Sequence, residues 1–211
     1  MIRAARWAGM PSRARSRPRR KGPKGRPRCG RTLVVVRGAD LRGARGEVRV
    51  FFLVRHADAG DKHSWAEDDF QRPLSPRGHS QADAVGALIA GSGASRLLSS
   101  PFLRCVQTLV PVTRRMGLPV ETRAELAVGA SAESLLALLE RPEVDGAVLC
   151  THGETLNALA LEWERAGQVD VLAPGRARSI AGTPKGAVWV VENYGGSTAR
   201  ALFIPPGLGG G

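Results

Sequence analysis

Two histidines and two arginines stand where apolar runs of this chain end. "FFLV" leads into Arg55-His56, "AVLC" leads into Thr151-His152-Gly153, and "RLLSS" leads into Pro101 with Arg104 close behind. A neutral imidazole is a good nucleophile toward phosphorus. Two guanidinium forks match phosphoryl oxygens and hold charge in a transition state. Cations near His56 disfavour its protonation and keep it nucleophilic. His152 can donate a hydrogen bond to a transferring group. A helix N-terminus after Ser100-Pro101 adds N–H donors for an anion. Taken alone, His56 after an apolar run reads as a packed core histidine. With Arg55, Arg104 and His152 at strand exits, it reads as part of a phosphate site.

Strands and helices must deliver these residues to one place. "VRVFFLV" (48–54) reads as a buried strand. Residues 58–74 are polar and punctuated, a long loop. Ser75-Pro76 is an N-cap followed by proline at the first helical position. Ala82, Val85, Leu88 and Ile89 then form a helical stripe ended by Gly91. "RLLSS" (96–100) is strand-like. Ser100-Pro101 repeats the cap signal and predicts a helix to about Met116, bent or interrupted at Pro111. "PVE" (119–121) is a short strand, and "SAESLLALLE" (131–140) is a helix with a leucine core face. "GAVLC" (146–150) is a buried strand followed by a helix from about Glu154 to Arg165. "GAVWVVEN" (186–193) and "TARALFI" (198–204) are strands separated by a turn at Tyr194-Gly-Gly-Ser. This alternation predicts an α/β three-layer sandwich with a mostly parallel sheet, the last two strands adding an antiparallel edge. In such folds ligands sit beyond the carboxyl ends of the strands.

The totals bound the remaining choices. At 211 residues, 43% of them hydrophobic, the chain has length for one domain with a sizeable core. No stretch approaches the roughly 20 apolar residues of a membrane span. The net charge of +12 is local: residues 1–50 hold 16 of the 31 Lys and Arg but 2 of the 19 Asp and Glu. Residues 51–211 are therefore slightly acidic. Residues 1–47 form a basic leader, rich in Arg, Pro, Gly and Ala, with the composition of a disordered segment. "TLVVVRG" (32–38) is a candidate short strand within it. The leader lacks the apolar run of a secretory signal, and Arg19-Arg20 lacks the apolar segment of a twin-arginine signal. It reads as an anionic-surface or nucleic-acid tail, as a solvated extension, or as a stretch upstream of the true start. Residues 48–205 form the expected domain, and 206–211 a flexible tail. Cys29, Cys105 and Cys150 form no metal-binding spacing and point to a reducing, cytoplasmic setting. They read as small buried hydrophobes.

Four blocks carry a resemblance: "LVRHADAG", "RPLSPRGHSQA", "LLSSPFLRCVQT" and "VLCTHGETL". Together, in this order, they resemble the histidine phosphatase superfamily, typified by cofactor-dependent phosphoglycerate mutase and the short SixA-type phosphohistidine phosphatases. The resemblance covers about residues 50–205. It implies a phosphoglycerate mutase-like fold, His56 as the nucleophile that becomes a phosphohistidine, and Arg55, Arg104 and His152 completing the phosphate pocket. The implied chemistry needs no metal or cofactor. The family's general acid is a glutamate shortly before a glycine; Glu125 is the nearest candidate here, although Val128 stands where mutase-like members carry the acid. Asp58 is a second candidate. A weakly basic leaving group, such as a nucleoside diphosphate or phosphohistidine, needs little protonation, which tilts the reading away from a mutase. "RHADAGD…W…DD…RPLS" and "SSPFLRCVQT" also resemble the phosphatase domain behind a Nudix domain in actinobacterial MutT-like enzymes, which hydrolyse oxidised guanine nucleotides. The roughly 50 residues before the phosphatase block are too few for a Nudix domain.

The expected partners are thus a phosphorylated small molecule, a nucleotide among them, or a phosphoprotein; nucleic acid would act through the leader alone. A phosphate-binding member with weak catalysis, or a phosphomutase, is the alternative. His63 and His79 read as surface residues, with Arg77-Gly78 serving the helix start. Glu154 either orients substrate or favours its helix N-terminus. Trp65 packs or covers substrate. Ser99, Ser100 and Thr108 cap and line the pocket. Residues 58–74 and 167–185 are the loops that would set specificity.

Overall fold

The computed structural model describes residues 49–167, 169–172, 179–196 and 199–207. The leader, with Cys29 and the candidate strand at 32–38, and the last four residues lie outside them. In chain order the elements are β1 (Val50–Arg55), α1 (Pro76–Ile89), β2 (Arg96–Ser99), α2 (Leu103–Met116), β3 (Val120–Thr122), α3 (Ala132–Leu139), β4 (Ala147–Thr151), α4 (Gly153–Ala166), β5 (Val169–Leu172), β6 (Val188–Glu192) and β7 (Ala199–Ile204). One sheet holds all seven strands in the order β3-β2-β4-β1-β6-β7-β5. β1, β2, β3 and β4 pair in parallel.

The sheet is buried on both faces, as continuous apolar runs require. Alternation sorts the side chains. Phe51, Leu53, Leu98, Leu149 and Trp189 face α3 and α4, meeting Leu135, Leu139, Leu156 and Trp163. Phe52, Val54, Leu97, Val148 and Val190 face α1 and α2, meeting Val85, Ile89, Leu109 and Val112. Each fully buried side chain of this size stabilises the fold by roughly 1.5–3 kcal/mol. This is the expected three-layer α/β sandwich.

Three details differ from the sequence reading. The antiparallel strand is not at an edge: β6 pairs antiparallel with β1 on one side and with β7 on the other. Its run Val188–Val191 is buried throughout, which suits an interior strand. The edge is β5, a four-residue strand parallel to β7, inside a segment read as loop. Second, α2 starts at Leu103 with Phe102 at the N-cap and no side-chain cap bond. The Ser100 hydroxyl is engaged by His152 instead. Third, α2 is continuous through Pro111; the proline is buried, packed on α1 at Gly86. Elsewhere the signals hold. The Ser75 hydroxyl accepts from the Gly78 backbone N–H to cap α1, and Ser131 caps α3 in the same way.

Candidate active site

β2, β4 and β1 are neighbours running the same way. Their carboxyl ends therefore bring Ser99-Ser100, Thr151-His152 and Arg55-His56 together. The His56 N–H donates to the Thr151 carbonyl at 2.9 Å, and the Ser100 N–H to the Cys150 carbonyl at 2.9 Å. Backbone bonds between the strand exits thus fix the relative position of the side chains.

His56 is buried, 5% exposed. Its Nδ1 lies 2.8 Å from the Ala57 carbonyl. A carbonyl only accepts, so Nδ1 carries the proton and Nε2 the lone pair. Burial, above all, pushes the His56 pKa down to about 3; the bond to Ala57 opposes this, and the charges of Arg104, Arg55 and Lys185 add to it. The ring is neutral, with a defined tautomer.

His152 is fully buried, its ring centroid 5.2 Å from that of His56. Its Nδ1 faces Arg104 Nη2 at 3.4 Å, and its Nε2 lies 2.8 Å from Ser100 Oγ. A guanidinium only donates, so Nδ1 accepts and Nε2–H donates to Ser100. Burial first, then the neighbouring His56 and Arg104, push its pKa down to about 2. In this tautomer its one N–H serves Ser100, and Nδ1 faces the cation.

Two guanidinium groups complete the ring of polar atoms. Arg55 Nη1 donates to the Thr183 carbonyl at 2.6 Å. Its guanidinium lies against the start of α4, where a Cβ on Gly153 would stand 2.8 Å from Arg55 Cζ. Arg104, 3% exposed, donates from Nη1 to the Asp69 carbonyl at 2.8 Å and from Nη2 to Asp69 Oδ2 at 3.1 Å. Its Cζ sits 4.7 Å above the Phe102 ring, which also meets the His152 ring edge-on at 4.9 Å. Arg55 Nε and Arg104 Nε are buried and find no partner among the described residues. Thr108 ties the parts together: its Oγ1 accepts from the Ala57 N–H and donates to the Arg104 carbonyl.

Each of the two candidate acids is paired with a basic residue. The Glu125 carboxylate pairs with Arg141 at 3.3 Å. Asp58 accepts from Lys185 Nζ at 2.8 Å and Ser75 Oγ at 2.6 Å. The Lys185 hydrogen bond first, then that of Ser75, hold the Asp58 carboxyl far below the usual carboxylate range. It is ionised and holds no proton to give. His63, His79 and Glu154 are exposed, and Cys105 and Cys150 are buried and free. Trp65 is half-buried, donates to the Asp68 carbonyl, and lines an open recess of about 270 Å³ with Ala59, Arg72 and Leu74. Gly78 serves helix packing: a Cβ there would fall on the Asp58 carbonyl.

Asp69 is the residue that sequence reading passed over. It opens a short 3-10 turn, Asp69–Gln71, within the 58–74 loop. Its Oδ1 accepts from Arg72 Nε at 2.8 Å, and Arg72 is anchored on the Ala59 carbonyl at 2.6 Å. Phe70 stacks on Phe102 at 5.0 Å. The turn therefore rests on the site, with its carboxylate on Arg104. The one signal in the sequence was the Asp-x-x-Arg spacing before Pro73.

The mostly parallel sheet thus gathers two neutral histidines, the half-buried Arg55 and the buried Arg104 at its strand exits. Residues 51–127 match the family model "Histidine phosphatase superfamily (branch 1)". A curated relative, the 8-oxo-(d)GTP phosphatase of Mycolicibacterium smegmatis, is 28% identical over 167 residues, 76% of this chain and 49% of its own length. The chain thus spans about half of that relative. Among solved structures, the protein histidine phosphatase SixA complexed with tungstate is similar, with TM-score 0.53 and 24% identity over 74% of this chain and 94% of its own. A mycobacterial glucosyl-3-phosphoglycerate phosphatase gives TM-score 0.51 and 19% identity over 74% and 97%. At these identities the structural likeness establishes the fold. Among the described residues no helix is long and apolar enough to cross a membrane.

Proposed function

We propose that this protein is a metal-independent phosphatase working through a phosphohistidine on His56. The observation that carries the reading is the His56 tautomer: Nδ1–H held by the Ala57 carbonyl, Nε2 free to attack, beside Arg55 and Arg104, whose buried Nε groups find no partner among the described residues. The phosphoryl group would lie between Arg55 and Arg104, whose charges stabilise it as the transition state forms. The His56 Nε2–P bond forms as the P–O bond to the leaving group breaks, with a proton passing to the leaving oxygen. Water then attacks phosphorus, the Nε2–P bond breaks, and inorganic phosphate departs. His152 Nδ1 faces the same space. It becomes a donor to phosphoryl oxygens on taking a proton, which an incoming dianion favours.

The substrate is a phosphorylated small molecule, with a nucleotide favoured by the curated relative, or a phosphohistidine protein, as the SixA likeness suggests. Asp69 on Arg104 favours a second reading, a phosphate-binding protein of low turnover. Hydrolysis of p-nitrophenyl phosphate with chelator present separates the two. Release of p-nitrophenol that falls at least about 10³-fold in His56→Ala, with the melting temperature unchanged, is the expected result. Activity surviving in that variant would remove His56 as nucleophile. Phosphate binding without turnover would favour the second reading.

A further inference from the structure

We infer that Asp69 is the proton donor of this site; the inference rests on the phosphohistidine reading above. Neither acid expected from the sequence is free to protonate a leaving group, since Glu125 is on Arg141 and Asp58 is locked between Lys185 and Ser75. Asp69 is the carboxylate on the phosphate-binding arginine itself. Its Oδ2 and His152 Nδ1 touch the same Arg104 nitrogen, at 3.1 and 3.4 Å. His56 and His152 lie at the floor of the site, whereas the Asp69 side chain is 28% exposed. A leaving group departs in line, opposite the attacking nitrogen, and so toward the solvent side where this carboxyl stands.

Its environment explains how an ionised group becomes an acid. Burial is the largest influence on Asp69 and acts to raise its pKa; the Arg72 hydrogen bond and the charges of Arg104, Arg72 and Lys62 outweigh it and keep the carboxyl below its ordinary value. A bound phosphoryl group takes over the Arg104 fork and sets a second negative charge beside the carboxylate. Both changes favour its protonated form. The O–H of Asp69 then passes its proton to the leaving oxygen as the P–O bond breaks. In the second half of the cycle the resulting carboxylate takes a proton from the water that attacks the phosphohistidine. The proton that Asp69 takes up from solvent on substrate binding is released to solvent as phosphate leaves, and the carboxylate returns to Arg104.

The test compares leaving groups. p-Nitrophenolate leaves readily without a proton, whereas the phenolate of phenyl phosphate is as basic as that of tyrosine, near pKa 10. Asp69→Asn should lower turnover of phenyl phosphate by about 10²–10⁴-fold, and that of p-nitrophenyl phosphate much less. It should still form the acid-labile phosphoenzyme from the latter. Asp69→Ala should lose phenyl phosphate turnover and regain part of it on addition of formate. Inorganic phosphate should bind Asp69→Asn at least as tightly as the unaltered protein, because the carboxylate no longer competes for Arg104. Equal losses on both esters without formate rescue would make Asp69 a positioning residue for Arg104 and overturn the inference. So would no loss on either. Failure of the underlying reading looks different: the unaltered protein would then form no phosphoenzyme from either ester.

Discussion

At the scale of single residues, the site works by keeping imidazoles neutral. A free histidine titrates near 6.5, whereas His56 is held at about 3, chiefly by burial. The proposed nucleophile is therefore in its active form across the whole neutral and mildly acidic range. With the substrate's own ionisation accounted for, kcat/KM should show no acid limb near pH 6.5, and should hold to about pH 4 before protonation of His56 sets in. A limb near 6.5 in a pH–rate profile would show a solvent-exposed nucleophile instead. The four residues of the ring were readable because each follows an apolar strand. Asp69 was not, because a run such as "AEDDFQ" carries no period; its partner Arg104 is 35 positions away in the chain, and only folding brings the two together.

At the scale of elements, Gly153 shows how one backbone position shapes a side chain of the site. α4 begins at this residue, and the Arg55 guanidinium occupies the space a Cβ would need. Gly153→Ala should push Arg55 off its seat and lower kcat/KM about 10–100-fold, the loss of one charge-assisted hydrogen bond. Its thermal stability should stay close to that of the unaltered protein, since alanine favours a helix more than glycine does. Kinetics and a melting curve on the same sample check both halves. Strands β1, β2 and β4 were readable from β-branched and aromatic runs, α1 from its Ser75-Pro76 cap and α3 from its leucine face. The misread helix start has a physical cause: the Ser100 hydroxyl is shared between His152 and the Phe102 N–H, which precedes the helix. β5 is short and half-buried, so its alternation is too brief to stand out.

At the scale of the whole molecule, burying neutral histidines ties stability to pH. Between pH 6.5 and about 3, an unfolded chain binds a proton at each of these two histidines while the folded one does not. The unfolded state then holds more protons, so stability rises with pH and falls on acidification. Asp58 works in the same direction. Its depressed pKa contributes stability that is present above the ordinary carboxylate range and lost as pH falls further. The melting temperature should therefore drop from pH 7.5 to pH 5, and drop less in His56→Phe, which removes one titrating group. An unchanged melting temperature would mean the histidines are hydrated and protonated in the folded state. The layered architecture was readable as a whole because alternating strands and helices leave few ways to cover a sheet. The place of β6 in the sheet interior was present in its unbroken apolar run, which suits a strand covered on both faces.

The pairing of β6 with β1 also sets a schedule for biosynthesis. Arg55 is held by the carbonyl of Thr183, 128 positions downstream, and Asp58 by Lys185, 127 positions downstream. A ribosome that has finished His56 and both arginines has still not made the groups that seat Arg55 and neutralise Asp58. Contacts so distant along the chain form late. The contacts that seat Arg55 and pair Asp58 are thus among the last of the site to become possible as the chain is made.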